Sequence, residues 1–261
     1  MIKIENLIDI CSQAGEKILE IYQKSDKKYM EIEYKSDNSP LTLADRESHE
    51  IICSSLKKNY PDIPILSEEG SEIAYHERKK WNRFWLIDPI DGTKEFIKKN
   101  GEFTINIALI EQNTPILGIV YAPVLKKYWY GSKEGSFSLQ NGTLEKIQVN
   151  KDFNDTIKVV ASRSHSSALL QDFLNSIDNY ELLSMGSSLK ICLIADGNAD
   201  IYPRLAPTME WDTAAAHAVL KFANGNLIDL NTKLEMKYNR KNLKNSHFIA
   251  NSTMDLNLFL K

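Results

Sequence analysis

The chain has 261 residues, 43% of them hydrophobic and 26% charged, so it can bury one large core or two smaller ones and has the balance of an ordinary globular protein. Its formal net charge of −3 argues against bulk binding to a nucleic-acid duplex, although a local basic pocket stays open. Its three cysteines, Cys11, Cys53 and Cys192, are far apart and outside any CxxC pair, which excludes a disulfide framework or a cysteine zinc site and makes a reducing cytosol the simplest compartment.

Met1 to Asp9 mixes polar, apolar and acidic side chains and does not read as a signal peptide. No apolar run reaches the roughly 18 residues of a membrane span. Ile4, Leu7, Ile8, Cys11, Ala14, Ile18, Leu19 and Tyr22 recur at helical spacing, which predicts a long amphipathic helix facing a core. The turn-rich loop Lys35-Ser36-Asp37-Asn38-Ser39-Pro40 leads into a second helix ending near Tyr60, with Ile51, Ile52 and Leu56 inward. Asp45, near the start of that helix, reads equally as an acid balancing the helix dipole and as a site residue.

Ile63 to Leu66 predicts a short strand that ends in Ser67-Glu68-Glu69-Gly70, either a solvated turn or acids delivered by the strand. Residues 71–83 are charged and predict a surface helix or loop. The informative stretch is Trp85-Leu86-Ile87-Asp88-Pro89-Ile90-Asp91-Gly92-Thr93. Phe84 to Ile87 reads as a buried strand that stops at Asp88, because Pro89 cannot extend a ladder. Asp91-Gly92 completes a turn, and Thr93 to Ile97 opens a short helix. Two carboxylates and a peptide carbonyl would crowd at one strand end, beside backbone N–H groups. Crowded carboxylates repel unless a cation sits between them, hard oxygen donors suit Mg²⁺, and a helix start suits phosphate. Taken alone, Asp-Pro and Asp-Gly are also ordinary turn dipeptides.

Further on, Phe103 to Ile110, Ile116 to Tyr121, Tyr128 to Tyr130, Ser136 to Leu139 and Leu144 to Val149 predict strands, with Asn141-Gly142 as a hairpin turn. They describe a mostly antiparallel sheet flanked by the first two helices. The polar run Asn150 to Asp155 suggests a boundary between halves 1–154 and 155–261. The second half alternates: strands at Ile157 to Ala161, Tyr180 to Ser184, Ala199 to Tyr202, Leu227 to Leu230 and His247 to Ala250, and helices at Ser167 to Ile177, Leu189 to Ala195 and Trp211 to Ala223. Asp212 falls in the first turn of the last helix, where an acid also balances the dipole. The small residues after it suggest that something packs very close, which favours a site there.

Glu68-Glu69, Asp88-Pro89-Ile90-Asp91-Gly92-Thr93 and Trp211-Asp212-Thr213-Ala214-Ala215, in this order and at these separations, resemble the inositol monophosphatase superfamily of Mg²⁺-dependent, lithium-sensitive phosphatases. Asp37-Asn38-Ser39-Pro40, Lys94-Glu95-Phe96-Ile97, Asn100-Gly101-Glu102-Phe103-Thr104, Ser162-Arg163-Ser164-His165 and Gly186-Ser187-Ser188-Leu189-Lys190 resemble its bacterial bisphosphate-nucleotidase branch. The match runs from Gly15 to His217 and weakens only in the last forty or so residues.

The resemblance implies an α/β (α+β) fold, a layered α-β-α-β-α sandwich. It implies Mg²⁺-dependent hydrolysis of adenosine 3',5'-bisphosphate to AMP and phosphate, which clears a by-product of sulfate assimilation. It implies two or more Mg²⁺ ions, a small-molecule nucleotide as partner, and a cytoplasmic protein. Relatives extend that last expectation to the cytoplasmic face of the inner membrane, although no segment here reads as an anchor. Two cations about 3.5–4 Å apart can clamp the attacking and leaving oxygens of an in-line displacement. In that scheme Asp88 bridges both, Glu68 and the Ile90 carbonyl hold the first, and Asp91 and Asp212 hold the second. Thr93, hydrogen-bonded to Asp45, orients the attacking water and passes on its proton. The N–H groups of Gly92 and Thr93 take the phosphate, so Glu68, Ile90, Asp91, Gly92, Thr93 and Asp212 also border the substrate. Ser162, His165, Gly186 and Lys190 surround the nucleotide, with Lys190 opposite the 5'-phosphate. The family helix usually continues Trp-Asp-x-Ala-Ala-Gly; here Ala216 stands at the last position, which puts packing or metal spacing beside the site in question. Two other readings stay open: an inositol- or sugar-phosphate phosphatase of the same superfamily, and a non-catalytic nucleotide- or RNA-binding regulator on this fold. The oligomeric state is not written in these patterns.

Overall fold

A computed structural model describes residues 2–24, 33–34, 40–151, 156–162 and 168–252. The chain opens with α1 (Ile4–Gln23), the small ladder β1 (Glu33–Tyr34) with β2 (Pro40–Leu41), and α2 (Leu43–Asn59). Then follow β3 (Ile65–Ser67), the one-turn α3 (Tyr75–Arg78), β4 (Arg83–Asp91) and α4 (Thr93–Ile97). A meander comes next: β5 (Thr104–Glu111), β6 (Thr114–Ala122), β7 (Lys127–Ser132), β8 (Gly135–Gln140) and β9 (Thr143–Ile147). The remainder is β10 (Ile157–Ser162), α5 (Ala168–Asn175), β11 (Tyr180–Met185), α6 (Leu189–Ala195), β12 (Ile201–Arg204), α7 (Glu210–Phe222), β13 (Asn226–Asp229), β14 (Leu234–Glu235) and β15 (Phe248–Asn251).

The strands β3 to β9 form a seven-stranded sheet in sequence order. Only β3 and β4 run parallel in it, and the rest is antiparallel. Its tight turns use the residues that tolerate positive φ: Gln112 and Asn113 between β5 and β6, Asn141 and Gly142 between β8 and β9. The second sheet has six strands in the order β11-β10-β12-β15-β13-β14.

Side-chain alternation along the strands assigns the layers. On one face of the large sheet, Trp85, Ile87, Ile107 and Ile119 pack with Leu7, Cys11 and Ile18 of α1 and Ile52 and Leu56 of α2. On the other face, Leu86, Ala108 and Val120 pack with α6 and α7, and through them with Val160, Tyr202 and Phe248 of the small sheet. The far face of the small sheet presents Val159, Ile201 and Ile249 to Phe173 and Leu174 of α5. The stack is therefore helix, sheet, helix, sheet, helix. Central strands buried on both faces read as unbroken apolar runs, as β4 and β5 do.

Three local expectations need correcting. The strand through Phe84 does not stop at Asp88; β4 continues through Pro89 to Asp91, with a register shift between Asp88 and Asp91 against β5. A bulge leaves a position with no ladder N–H to supply, so it accommodates proline. The freed carbonyl of Pro89 accepts the Ser48 hydroxyl at 2.9 Å instead. Residues 71–83 are not simply a surface segment, because Arg78 at the end of α3 is buried. Lastly, the small residues of α7 serve the sheet: a Cβ on Gly118 of β6 would stand 2.3 Å from the Ala215 carbonyl, and one on Gly131 of β7 would stand 2.7 Å from that of Ala218. Helix backbone and sheet backbone touch there, which explains the alanines without any ligand.

Candidate metal and phosphate site

The parallel pairing of β3 with β4 carries Glu68 to Asp88: the Glu68 N–H donates to the Ile87 carbonyl at 3.1 Å, one residue beyond the strand. The bulge turns the next residues inward. The Ile90 N–H donates to Asp88 Oδ1 at 3.0 Å, and Ile90 and Asp88 are both buried. Gly92 then turns the chain at φ +94°, a conformation that favours glycine, and α4 begins. From the opposite layer α7 brings Asp212 in its first turn. Carboxylate oxygens of Glu68, Asp88 and Asp212 all lie within 4.8 Å of one another.

Such a cluster is electrostatically unfavourable by itself. Burial first, then repulsion from Glu68, Asp91, Asp212 and Asp45, pushes the Asp88 carboxyl well above the ordinary carboxylate range. Burial and then Asp91 and Glu68 push Asp212 up in the same way. Asp91 is raised to about 6 by burial, with Lys190 and the Ser188 N–H pulling the other way. An all-oxygen donor set that repels itself suits a hard divalent cation, so the residues present fit a metal site.

Asp45 and Asp212 each do two things at once. Asp45 Oδ2 accepts the N–H and hydroxyl of Thr42 at 2.7 and 2.5 Å, closing the first turn of α2, while Oδ1 accepts the Thr93 hydroxyl at 3.3 Å. Asp212 Oδ2 accepts the Met209 N–H at 2.8 Å, closing the first turn of α7. In both residues one carboxylate oxygen closes the first turn of a helix. Thr93 Oγ1 also lies 3.5 Å from the Ile90 carbonyl.

A cavity of about 110 Å³ opens beside these acids and brings together Asp91, Gly92, Ser162, Gly186, Lys190 and Asp212. Glu68 is not among its walls; it faces a neighbouring cavity of about 360 Å³ with Ser67, Trp211 and Leu243. His165 and the Asp37-Asn38-Ser39 stretch lie outside the described residues. Lys190 is buried rather than solvated. Its ammonium donates to the Ser187 carbonyl and lies 5.4 Å from the centre of the Tyr202 ring. Burial lowers its pKa to about 8, with the Asp91 charge opposing. Gly186 is required by packing: its N–H donates to Glu102 Oε2 at 2.8 Å, and a Cβ there would meet the Glu102 carbonyl and Glu95 Cγ at 2.9 Å.

Sequence reading missed Arg204, which lines the same cavity from the end of β12. Its Nε is buried without a hydrogen-bond partner among the described residues. No local pattern marks Arg204; only the tertiary fold brings it to the cavity that Lys190 also lines. Ser188 entered the sequence reading only as part of the Gly186 to Lys190 motif, with no role of its own. Its hydroxyl donates to Asn106 Oδ1 at 2.7 Å and lies 2.8 Å from Thr104 Oγ1. Those two residues pair with Asp88 and Asp91 across β4 and β5, so Ser188 ties the acids to the start of α6.

Two packed sheets, three helical layers and an acid cluster beside a helix start define a layered α/β sandwich with a candidate metal site where its layers meet. The sequence model of the inositol monophosphatase family matches residues 3–258, and the chain belongs to that family. It is 48% identical over 192 residues to the 3'(2'),5'-bisphosphate nucleotidase CysQ of Salmonella typhimurium, covering 74% of this chain and 77% of that protein. The corresponding CysQ of Escherichia coli K12 is 47% identical over 192 residues, with the same coverage of 74% and 77%. Among solved structures, CysQ from Bacteroides thetaiotaomicron superposes with a TM-score of 0.84 at 39% identity, covering 96% of this chain and 97% of that one.

Proposed function

We propose that this chain is a Mg²⁺-dependent 3'(2'),5'-bisphosphate nucleotidase that hydrolyses adenosine 3',5'-bisphosphate to AMP and phosphate. The observation that carries the reading is the convergence of Glu68, Asp88 and Asp212 within 4.8 Å, beside a cavity that holds Lys190 and Arg204. The likeness to proteins named for that activity supports the substrate class.

The donor set to hold the cations is Glu68, Asp88, the Ile90 carbonyl, Asp91 and Asp212. Two bound Mg²⁺ ions supply Lewis-acid stabilisation of the phosphoryl oxygens and lower the pKa of water. The chain's own groups do the rest. The Thr93 hydroxyl, turned toward Asp45 Oδ1, accepts a hydrogen bond from the attacking water, and the Thr93–Asp45 pair receives its proton. The N–H groups of Gly92 and Thr93 hold the phosphate in line. The P–O bond to the ribose breaks as the water oxygen bonds to phosphorus, and the departing ribose oxygen takes a proton from solvent water to leave as a hydroxyl. Lys190 and Arg204 supply positive charge for the second phosphate of a bisphosphate. Ser162 borders the same space, and His165 is assigned there by motif alone.

We place the protein in the cytosol, in keeping with three free, buried cysteines. No helix among the described residues is long and apolar enough to cross a membrane. Association with the inner-membrane face gains no support.

The test is phosphate release from adenosine 3',5'-bisphosphate and from inositol 1-phosphate, side by side, with Mg²⁺ and then with added Li⁺. Preference for the nucleotide, dependent on Mg²⁺ and suppressed by Li⁺, is the expected result. Preference for inositol 1-phosphate would keep the metal site and overturn the substrate. Release from neither would overturn the enzyme reading.

A further inference from the structure

The first turn of α7, which delivers Asp212, is gripped by a polar clamp that takes no part in the scheme above. Glu210, two residues before Asp212, is fully buried. Its Oε2 accepts the Asn239 N–H at 2.6 Å, and its Oε1 accepts the Arg240 N–H and Nε–H, both at 3.0 Å. The Glu210 N–H donates to the Leu243 carbonyl at 2.9 Å. Arg240 Nη2 continues to Asn245 Oδ1 at 2.5 Å, and Asn245 Nδ2 returns to the Met209 carbonyl at 2.7 Å. The segment 239–245 thus holds the turn from both sides.

Arg78 locks that segment from α3, across the sequence. Its Nη1 donates to Asn239 Oδ1 at 2.9 Å and to the Arg240 carbonyl at 2.7 Å, and its Nη2 donates to the Lys241 carbonyl at 2.9 Å. Asn239 Nδ2 donates back to the Arg78 carbonyl at 2.8 Å. Arg78 also shares the cavity wall with Glu68. One network therefore spans the segment after Glu68 and the turn that carries Asp212, the two acids that face Asp88 from different layers.

We propose that Glu210 is a positioning residue for metal binding: clamped by Asn239, Arg240 and Arg78, it fixes the first turn of α7 so that the Asp212 carboxylate stands in reach of Glu68 and Asp88. This rests on the metal assignment above. The chemistry of the clamp is directional. Both oxygens of Glu210 face N–H donors, so an isosteric amide must turn its own NH₂ against one of them whichever way it points. Glu210→Gln therefore breaks the clamp without opening a cavity.

The experiment is calorimetric titration of the full chain with MgCl₂ alone, beside thermal unfolding in EDTA, for the unmodified protein, Glu210→Gln and the core control Ile249→Val. Glu210→Gln is expected to weaken Mg²⁺ binding about tenfold or more, the range found when groups that orient metal ligands are removed. Ile249→Val lies in the cluster under α5, away from the clamp, and is expected to lose stability in EDTA while binding Mg²⁺ as the unmodified protein does. If Glu210→Gln fails to fold, Arg240→Lys is judged by the same criterion, because it keeps the cation and gives up the Nε bond to Glu210. Mg²⁺ affinity within about twofold of the unmodified protein in the clamp variant, against that tenfold expectation, overturns the proposal. Absence of Mg²⁺ binding by the unmodified protein would instead overturn the metal assignment, and the clamp's role with it.

Discussion

Replacing Asp88 by asparagine should make the metal-free protein more stable and deaf to Mg²⁺. Asp88 is buried among acids, and each of Glu68, Asp91, Asp212 and Asp45 raises its pKa. Asparagine has nearly the same shape and can keep the hydrogen bond from the Ile90 N–H, which reaches Asp88 Oδ1 at 3.0 Å. Asp91 bears a cost of the same sign. Lifting its carboxyl from 3.8 to about 6 costs the folded, metal-free chain about 3 kcal/mol at neutral pH. The sign follows from the raised folded-state pKa values. The stability these carboxyls contribute is fully present below their unfolded values near 4 and is lost as pH rises through the folded ones. Burial holds His49 and His217 below the usual histidine range, so they act oppositely, adding stability as pH rises through about 6.5. The difference between the unmodified protein and Asp88→Asn cancels the histidines. In EDTA near neutral pH the variant should unfold at a higher Tm than its parent, and the gain should shrink as pH falls toward the unfolded carboxyl value near 4. Mg²⁺ at about a hundredfold over its Kd should stabilise the unmodified protein by about 2.7 kcal/mol and the variant hardly at all. Phosphatase activity should be lost in the variant. A variant no more stable than its parent in EDTA, or one with an equal Mg²⁺ response, would refute the reasoning.

Gly118→Ala should destabilise by about 1–3 kcal/mol or more in urea unfolding, because the new Cβ would stand 2.3 Å from the Ala215 carbonyl, a backbone atom that cannot swing away. Ala216→Gly, which restores the residue of the wider family pattern, should cost about 1 kcal/mol through helix propensity and leave Mg²⁺ affinity unchanged by calorimetry. Ala216 is fully buried in the apolar core between the sheets and is no part of the wall of the cavity beside Asp212.

What sequence could supply tracked the range of each signal. Helical periodicity in α1 and the boundaries of α6 are local, and both were legible from residue spacing. The acids were visible in the same way, since Asp88, Asp91 and Gly92 are near neighbours in the chain. The bulge at Pro89 was not, because whether a proline ends a strand or sits in a bulge depends on the partner strand β5. Arg78 looked like one more surface charge, because its acceptors lie some 160 residues away, on 239–241. The alanines after Asp212 pointed at a site for the wrong reason: the close neighbours are Gly118 and Gly131 of the sheet.

The sequence by itself determined the element types, the unbroken apolar runs that bury both faces of β4 and β5, and the chemistry available: hard oxygen donors, a glycine turn and a helix start. Those follow from side-chain type and short-range spacing, which the chain carries locally. Tertiary structure alone decided which acids meet. Glu68 reaches Asp88 through parallel pairing of β3 with β4, and Asp212 arrives from a helix in another layer. It also decided that Lys190 is buried beside Asp91 and that Arg204 shares its cavity. Charge in a protein is set by burial and by neighbours at a few ångströms, and those neighbours are chosen by the fold rather than by adjacency in the chain.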